Sequence, residues 1–130
     1  MIAINKLLTI RNILNSFKDL NLSANLAYQI TKFLMQSATE EEFYYSRLRS
    51  LLDEYAEKSE DGNYIPTEDG EGVKIKLDLL EKFQTAYAEL ENTEVEAPNI
   101  KFALSAITKE ITSITVNQMM VLMEFIDEEK

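Results

Sequence analysis

The sequence contains no cysteine, no histidine and no tryptophan among its 130 residues. Without cysteine the chain can form no disulfide and no thiolate metal site. Without histidine it lacks the usual general base near neutral pH and the commonest transition-metal ligand. Ser-His-Asp and Cys-His catalysis are therefore excluded, and we expect a protein that is not an enzyme and that uses no metal or cofactor.

Glycine and proline are also scarce, with three and two residues, while 45% of the chain is hydrophobic and 28% is charged. This composition is typical of a folded chain with a high helix content. The length fits one domain spanning residues 1–130. We predict a mainly α fold, a bundle of about four helices with a small inserted β-hairpin.

Positive charge is limited, and the formal net charge is -10. Because affinity for nucleic acid depends mostly on neutralisation of phosphates by Lys and Arg, nucleic acid is not an expected partner. The first 38 residues nevertheless carry four basic residues against Asp19 alone. This asymmetry is compatible with head-to-body packing between copies, but an ordinary solvated surface is the more usual cause.

The sequence has no long uncharged apolar run. Asn5, Lys6 and Arg11 interrupt the apolar N-terminal stretch, so it does not resemble a signal segment. No segment approaches the roughly 20 apolar residues that span a bilayer. We therefore expect a soluble intracellular protein that has no membrane partner.

Apolar spacing predicts the helices. The first runs from Ile4 to about residues 19–21, and Ser23 is a candidate N-cap for the second. Thr39-Glu40-Glu41-Glu42 has the form of a capping box, from which a helix would run to about Lys58. The pattern leaves open whether the chain from Leu22 to Lys58 is one helix or two joined near Ser37. Further helices are predicted over 80–92 and from a capping box at Thr115 onward.

Minor β structure is expected in the turn-rich middle of the chain. We predict a hairpin pairing residues 63–67 with 72–76, in which Pro66 implies an exposed edge. Short extended pieces are predicted over 93–96 and 99–103. Asp61-Gly62-Asn63 resembles the start of a calcium loop, but Ile65 and Pro66 stand where that loop needs an oxygen donor and a glycine, which favours a simple turn.

Two segments suggest contact between copies of the chain. Between Leu22 and Thr39 only Lys32 is charged, so this segment is either sandwiched inside the monomer or covered by another copy. The C-terminal helix is too apolar to be left exposed, although methionine stripes are more often core than docking surface. The predicted interface consists of Leu26, Ile30, Phe33, Leu34, Met120 and Met123.

An alternative hypothesis concerns a small anionic ligand. Arg47 and Arg49 beside Tyr44 could hold such a ligand by ion pairing and stacking, with Lys32 converging on a pocket between subunits. A solvated helix face in which Arg49 pairs with Asp53 explains the same residues.

The order of features also resembles a known group of proteins. It comprises a helix pair, an acidic helix over 41–55, the Asp61-Gly62-Asn63 hairpin, a helix ending in Leu90-Glu91-Asn92-Thr93-Glu94-Val95-Glu96, and a Thr-capped apolar tail. In this pattern the chain is similar to small uncharacterised proteins of tailed phages and prophages of Gram-positive bacteria. The resemblance implies a viral setting and no catalytic residues.

Three functions are consistent with these features. The first is a non-enzymatic phage or prophage protein that self-associates and binds a phage or host protein, in particle assembly or in interaction with the host; it would lie in the host cytoplasm or be associated with the virion. The second is an oligomeric sponge that sequesters a nucleotide signal of host defence. The third is a hydrolase that uses carboxylates and a divalent ion.

Overall fold

The computed structural model describes residues 1–128, and over this range the chain is mainly α-helical with minor β structure, as predicted. The α-helices are α1 (Ile4–Ser16), α2 (Ala24–Gln36), α3 (Ala38–Tyr55), α4 (Leu80–Glu91), α5 (Leu104–Glu110) and α6 (Val116–Leu122). The strands are β1 (Ile2–Ala3), β2 (Glu94–Val95), β3 (Phe102–Ala103) and β4 (Ile126–Asp127). Two 3-10 turns cover Leu77–Leu79 and Met123–Phe125. The described chain thus has six α-helices instead of about four.

The chain divides into two compact units. Unit 1 consists of Met1–Glu41 and the chain from Glu94 onward, and unit 2 consists of Glu42–Thr93. The prediction of one domain over residues 1–130 stays a prediction.

Unit 1 contains two short pairs of strands. β1 pairs antiparallel with β2, placing Ile2 opposite Val95, and β3 pairs parallel with β4, placing Phe102 opposite Ile126. The prediction of extended pieces near Pro98 is confirmed by β2 and β3, whereas β1, β4 and α5 were not predicted. These pairs join parts of the chain that are far apart in sequence, and sequence periodicity carries no such information.

An aromatic cluster lies at the centre of unit 1. Phe33 and Phe125 meet edge-to-face with ring centroids 5.0 Å apart, and Phe33 lies 6.1 Å from Phe102. Phe33 and Phe102 are fully buried. Edge-to-face rings add about 0.5–1.5 kcal/mol to the stabilisation from burial alone. The cluster therefore links α2 to the C-terminal part of the chain.

Unit 2 contains most of α3, an irregular β region and α4. Antiparallel bridges pair Pro66 with Val73, Lys58 with Tyr64, and Ala56 with Ile75. The Pro66–Val73 bridge lies within the predicted hairpin. The segment directly after α3 pairs with the same hairpin through Lys58 and Ala56. Tyr55, Phe83 and Tyr87 form a chain of ring contacts at 6.1 and 5.7 Å.

Several predicted helix ends need correction. α1 ends at Ser16, where the N–H of Phe17 bonds to the carbonyl of Leu14 and tightens the last turn. α3 ends at Tyr55 and not near Lys58, because the next residues turn into the bridges with residues 64 and 75. The C-terminal helix ends at Leu122, since the chain then forms a 3-10 turn and pairs with β3.

The predicted caps had mixed outcomes. Ser23 caps α2 by accepting a hydrogen bond from the N–H of Leu26, as predicted. Thr115 and Gln118 form the complete capping box at the start of α6, also as predicted. The capping box at Thr39 is wrong, because α3 begins at Ala38 and Thr39 lies inside its first turn.

Candidate protein-interaction surfaces

The helix α2 buries one face and exposes the opposite one. Leu26, Ile30 and Phe33, three members of the predicted interface, are 1%, 7% and 0% exposed within the chain itself. They belong to the core of unit 1, so they cannot form a contact surface between copies in this fold. Leu34 is half-buried.

The exposed side of α2 carries Ala24, Tyr28, Thr31 and Met35, which we call the α2 outer face. Tyr28 is 63% exposed and Met35 is 72% exposed. The spacing of these residues, four then three then four, is that of the contact positions of a coiled-coil seam. The hydroxyl of Thr31 donates to the carbonyl of Ala27 at 2.8 Å, so this side chain already has a hydrogen-bond partner within its own helix.

Charge is scarce along α2 itself, although the carboxylate of Glu110 bonds to Ser23 at its N-terminus. Lys32 is the single charged residue between Leu22 and Thr39, in a chain in which 28% of residues are charged. Exposed apolar residues are common one by one, but a contiguous apolar stripe on a helix is typical of an interaction site. The α2 outer face is therefore the strongest candidate contact surface in unit 1.

A second exposed stripe lies on α6 and the 3-10 turn that follows it. Val116, Met120 and Met123, the α6 outer face, are 76%, 68% and 41% exposed. The expectation that the C-terminal helix is fully covered is thus wrong. Only part of its apolar surface is buried, at Leu122 and at Phe125 in the following turn. Met120 and Met123, from the predicted interface, lie at the surface and are available for contact.

The sequence left open whether the chain from Leu22 to Lys58 is one helix or two. The structure has two helices, α2 and α3, separated by a break at Ser37. The guanidinium of Arg11 donates from Nη1 to the carbonyl oxygen of Leu34 and to Oγ of Ser37, both at 2.5 Å. Its Nε donates to Oε2 of Glu41 at 2.6 Å. The interruption of the helix leaves the Leu34 carbonyl available, and Arg11 satisfies it. These bonds connect α1 to the end of α2 and so stabilise the orientation of α2 within unit 1.

The residues of the alternative ligand hypothesis are distributed over both units. Lys32 is exposed in unit 1, whereas Tyr44, Arg47 and Arg49 belong to unit 2. Arg47 and Arg49 are exposed. Asp53 forms its ion pair with Lys58 at 3.4 Å, and Arg49 acts on it only through a weaker electrostatic effect, so the predicted Arg49–Asp53 pair is not observed.

Tyr44 has a structural environment that the sequence did not indicate. Its ring is 7% exposed, and its hydroxyl donates to Oε1 of Glu91 at 2.8 Å and lies 3.5 Å from the hydroxyl of Tyr87. Burial, followed by these hydrogen bonds, raises the pKa of Tyr44 well above its ordinary value. The buried ring cannot stack on a ligand from solvent, and its hydroxyl links α3 to α4.

The Asp61-Gly62-Asn63 segment is a turn. The carboxylate of Asp61 accepts hydrogen bonds from Oγ of Ser59 and from Nδ2 of Asn63, which holds its pKa below the usual range. Gly62 has φ of 86°, a conformation that glycine adopts without strain. Over residues 1–128, no cluster of three or more acidic side chains could hold a metal ion. No helix within that range is long and apolar enough to cross a membrane.

Comparison of the chain with models of protein families, with curated proteins and with solved structures finds no match.

Proposed function

We propose that this protein is a non-enzymatic binding protein that self-associates through the α2 outer face and binds a different protein through the α6 outer face. The observation that carries the proposal is the exposed seam of Ala24, Tyr28, Thr31 and Met35, which has contact-type spacing and lies on a helix with a single charged residue, Lys32. Burial of this seam would remove apolar surface from water at about 25 cal/mol per Å².

An antiparallel arrangement of two copies suits the side chains of this seam. If the two-fold axis passes between Tyr28 and Thr31, each Tyr28 faces Thr31 of the partner subunit and each Ala24 faces Met35 of the partner subunit. Large residues then lie opposite small ones, as knobs-into-holes packing requires. Lys32 comes close to the ring of Tyr28 of the partner subunit, a geometry suited to a cation–π contact.

The size of the seam sets the expected strength of this contact. α2 has 13 residues, so it is about 20 Å long. A single helix face of this length covers less than the roughly 800 Å² per partner found in standard stable interfaces. We therefore expect a dimer that dissociates in the micromolar range.

We assign the α6 outer face to a second partner because two of its three residues, Met120 and Met123, are methionines. Methionine has a flexible, polarizable thioether that adapts to irregular surfaces. We place this partner among phage or host proteins, in the cytoplasm of a bacterial host or on the virion. The support for that setting is the pattern over Asp61 to Glu96 by which the chain resembles small phage and prophage proteins.

Engineered cysteines test the antiparallel arrangement, since the natural chain has no cysteine to interfere. We expect the double variant Ala24→Cys with Met35→Cys to form disulfide-linked dimers under mild oxidation. The single variant Met35→Cys should not, because the two copies of position 35 would be about 16 Å apart along antiparallel helices. Met120→Cys serves as the control for random collision. Efficient cross-linking by Met35→Cys alone would contradict the antiparallel arrangement.

A pair of matched variants separates the two surfaces. A protein captured from host lysate by the wild type and by Tyr28→Glu, but not by Met120→Glu, would be a partner of the α6 outer face. Capture that is lost with Tyr28→Glu and kept with Met120→Glu would contradict the assignment.

A further inference from the structure

Unit 1 contains a cavity between the end of α1, the connecting segment 17–22 and one side of α2. Its volume is about 260 Å³, slightly below the range of about 300–1,000 Å³ typical of small-molecule sites. Among the described residues, seven of the ten that line it are apolar, including Leu14, Phe17, Ile30 and Leu34. Such a cavity fits a short aliphatic chain or one small ring.

Two polar side chains lie in this lining without partners of their own. Lys18 and Asn21 line the cavity, and both are exposed. Among the residues that the structure describes, the ammonium of Lys18 has no ion-pair partner and the amide of Asn21 has no side-chain hydrogen bond. The nearest acid in sequence, Asp19, does not line the cavity. The cavity thus combines an apolar interior with one available cation and one amide donor.

We propose that this cavity binds a small amphipathic carboxylate, a medium-chain fatty acid or an aromatic acid of similar size, with its apolar part inside and its carboxylate on Lys18 and Asn21. The third polar lining residue, Thr31, does not compete, because its hydroxyl bonds to Ala27 within α2. Among the residues that the structure describes, Lys18 is the only charged one in the lining, so the electrostatic preference is for an anion. A phosphate alone would leave the apolar interior unfilled.

Octanoate is the probe. Octan-1-ol, which has the same eight-carbon chain but no charge, is the control ligand. For about ten non-hydrogen atoms, the ligand efficiency of drug-sized molecules gives a dissociation constant of about 6 mM, and the somewhat higher efficiency of small ligands lowers it to about 1 mM. In ¹⁵N-resolved NMR titrations we expect octanoate to shift the amide resonances of residues 18–22 and of Ala27, and to bind more tightly than octan-1-ol. Shifts centred on Met120, or no saturable shifts, would overturn the proposal.

Two lysine variants test the role of the charge. Lys18→Met should weaken octanoate binding about two- to fivefold, the range of an exposed ion pair, and leave octan-1-ol binding unchanged. Lys109→Met, at an exposed lysine on α5 outside the cavity lining, should change neither. An equal effect of both variants would overturn the assignment to Lys18. Ala27→Leu, which fills the cavity from α2, should abolish binding of both probes, and unchanged binding would contradict the location.

Discussion

The guanidinium of Arg11 lies 2.6 Å from the carboxylate of Glu41 and is almost fully buried, with 7% of the residue exposed. Arg11 belongs to α1 and Glu41 to the first turns of α3, so one side chain connects three helices at the break at Ser37. A buried cation is tolerated when it is paired and when its donors have acceptors. Here the carbonyl of Leu34 and the hydroxyl of Ser37 accept hydrogen bonds from Arg11.

Removal of the Arg11 charge should strongly destabilise unit 1. We expect Arg11→Met to lower the free energy of unfolding by about 2–4 kcal/mol, because the Leu34 carbonyl and the Ser37 hydroxyl lose their donor and Glu41 loses its partner. Urea unfolding followed by circular dichroism measures the change. Lys6→Met is the matched control, since the exposed Lys6–Glu124 pair at 3.4 Å should contribute less than about 1 kcal/mol. Equal costs for the two variants would contradict the structural role of Arg11.

The core assignment of α2 makes a second prediction. Leu26→Ala should cost about 2–5 kcal/mol of unfolding free energy, because Leu26 is 1% exposed and its truncation leaves a cavity. Met35→Ala, on the opposite face of the same helix, should change monomer stability by no more than about 0.5 kcal/mol. Thermal and urea unfolding at low protein concentration would show the difference. A small cost for Leu26→Ala would mean that the buried and exposed faces of α2 are assigned incorrectly.

Tyr44 makes stability depend on alkaline pH. Its pKa is raised in the folded state by burial and by hydrogen bonds with Tyr87 and Glu91, so the folded chain keeps a proton that the unfolded chain releases near the ordinary tyrosine pKa of about 10. The stabilisation is fully present below that pH and declines as pH rises above it. We expect the advantage of wild type over Tyr44→Phe to be about 1 kcal/mol near neutral pH and to shrink at alkaline pH. Urea unfolding at neutral and at alkaline pH measures this difference between wild type and Tyr44→Phe. A difference that is the same at both pH values would contradict the raised pKa of Tyr44.

Much of the helical structure could be predicted from the sequence because periodicity and capping are local signals. The Ser23 cap and the Thr115–Gln118 capping box are read within four residues and are confirmed. The Thr39 capping box failed although it has the same local pattern, because the break at Ser37 starts α3 two residues earlier, at Ala38. Arg11, which donates a hydrogen bond to Ser37 at that break, lies 26 residues away in sequence and is outside any local pattern.

The proposed interaction surface was harder to predict than the helices. The sequence shows that α2 is apolar on more than one side, but periodicity does not say which side the rest of the chain covers. The larger residues Leu26, Ile30 and Phe33 form the core because Phe102 and Phe125 pack against that side. The weaker stripe with Tyr28 and Met35 is consequently the exposed one. The signal that could have identified this stripe in the sequence is its coiled-coil spacing, combined with the scarcity of charge along α2.

The most direct test of self-association is the molar mass in solution, measured by light scattering over a range of protein concentrations from micromolar to near-millimolar. We expect the wild type to rise from the mass of one chain toward that of two, while Tyr28→Glu and Met35→Glu stay folded and monomeric. Met120→Glu should dimerise as the wild type does. A wild type that remains a monomer at all concentrations, or a dimer that survives both Tyr28→Glu and Met35→Glu, would contradict the assignment of the α2 outer face.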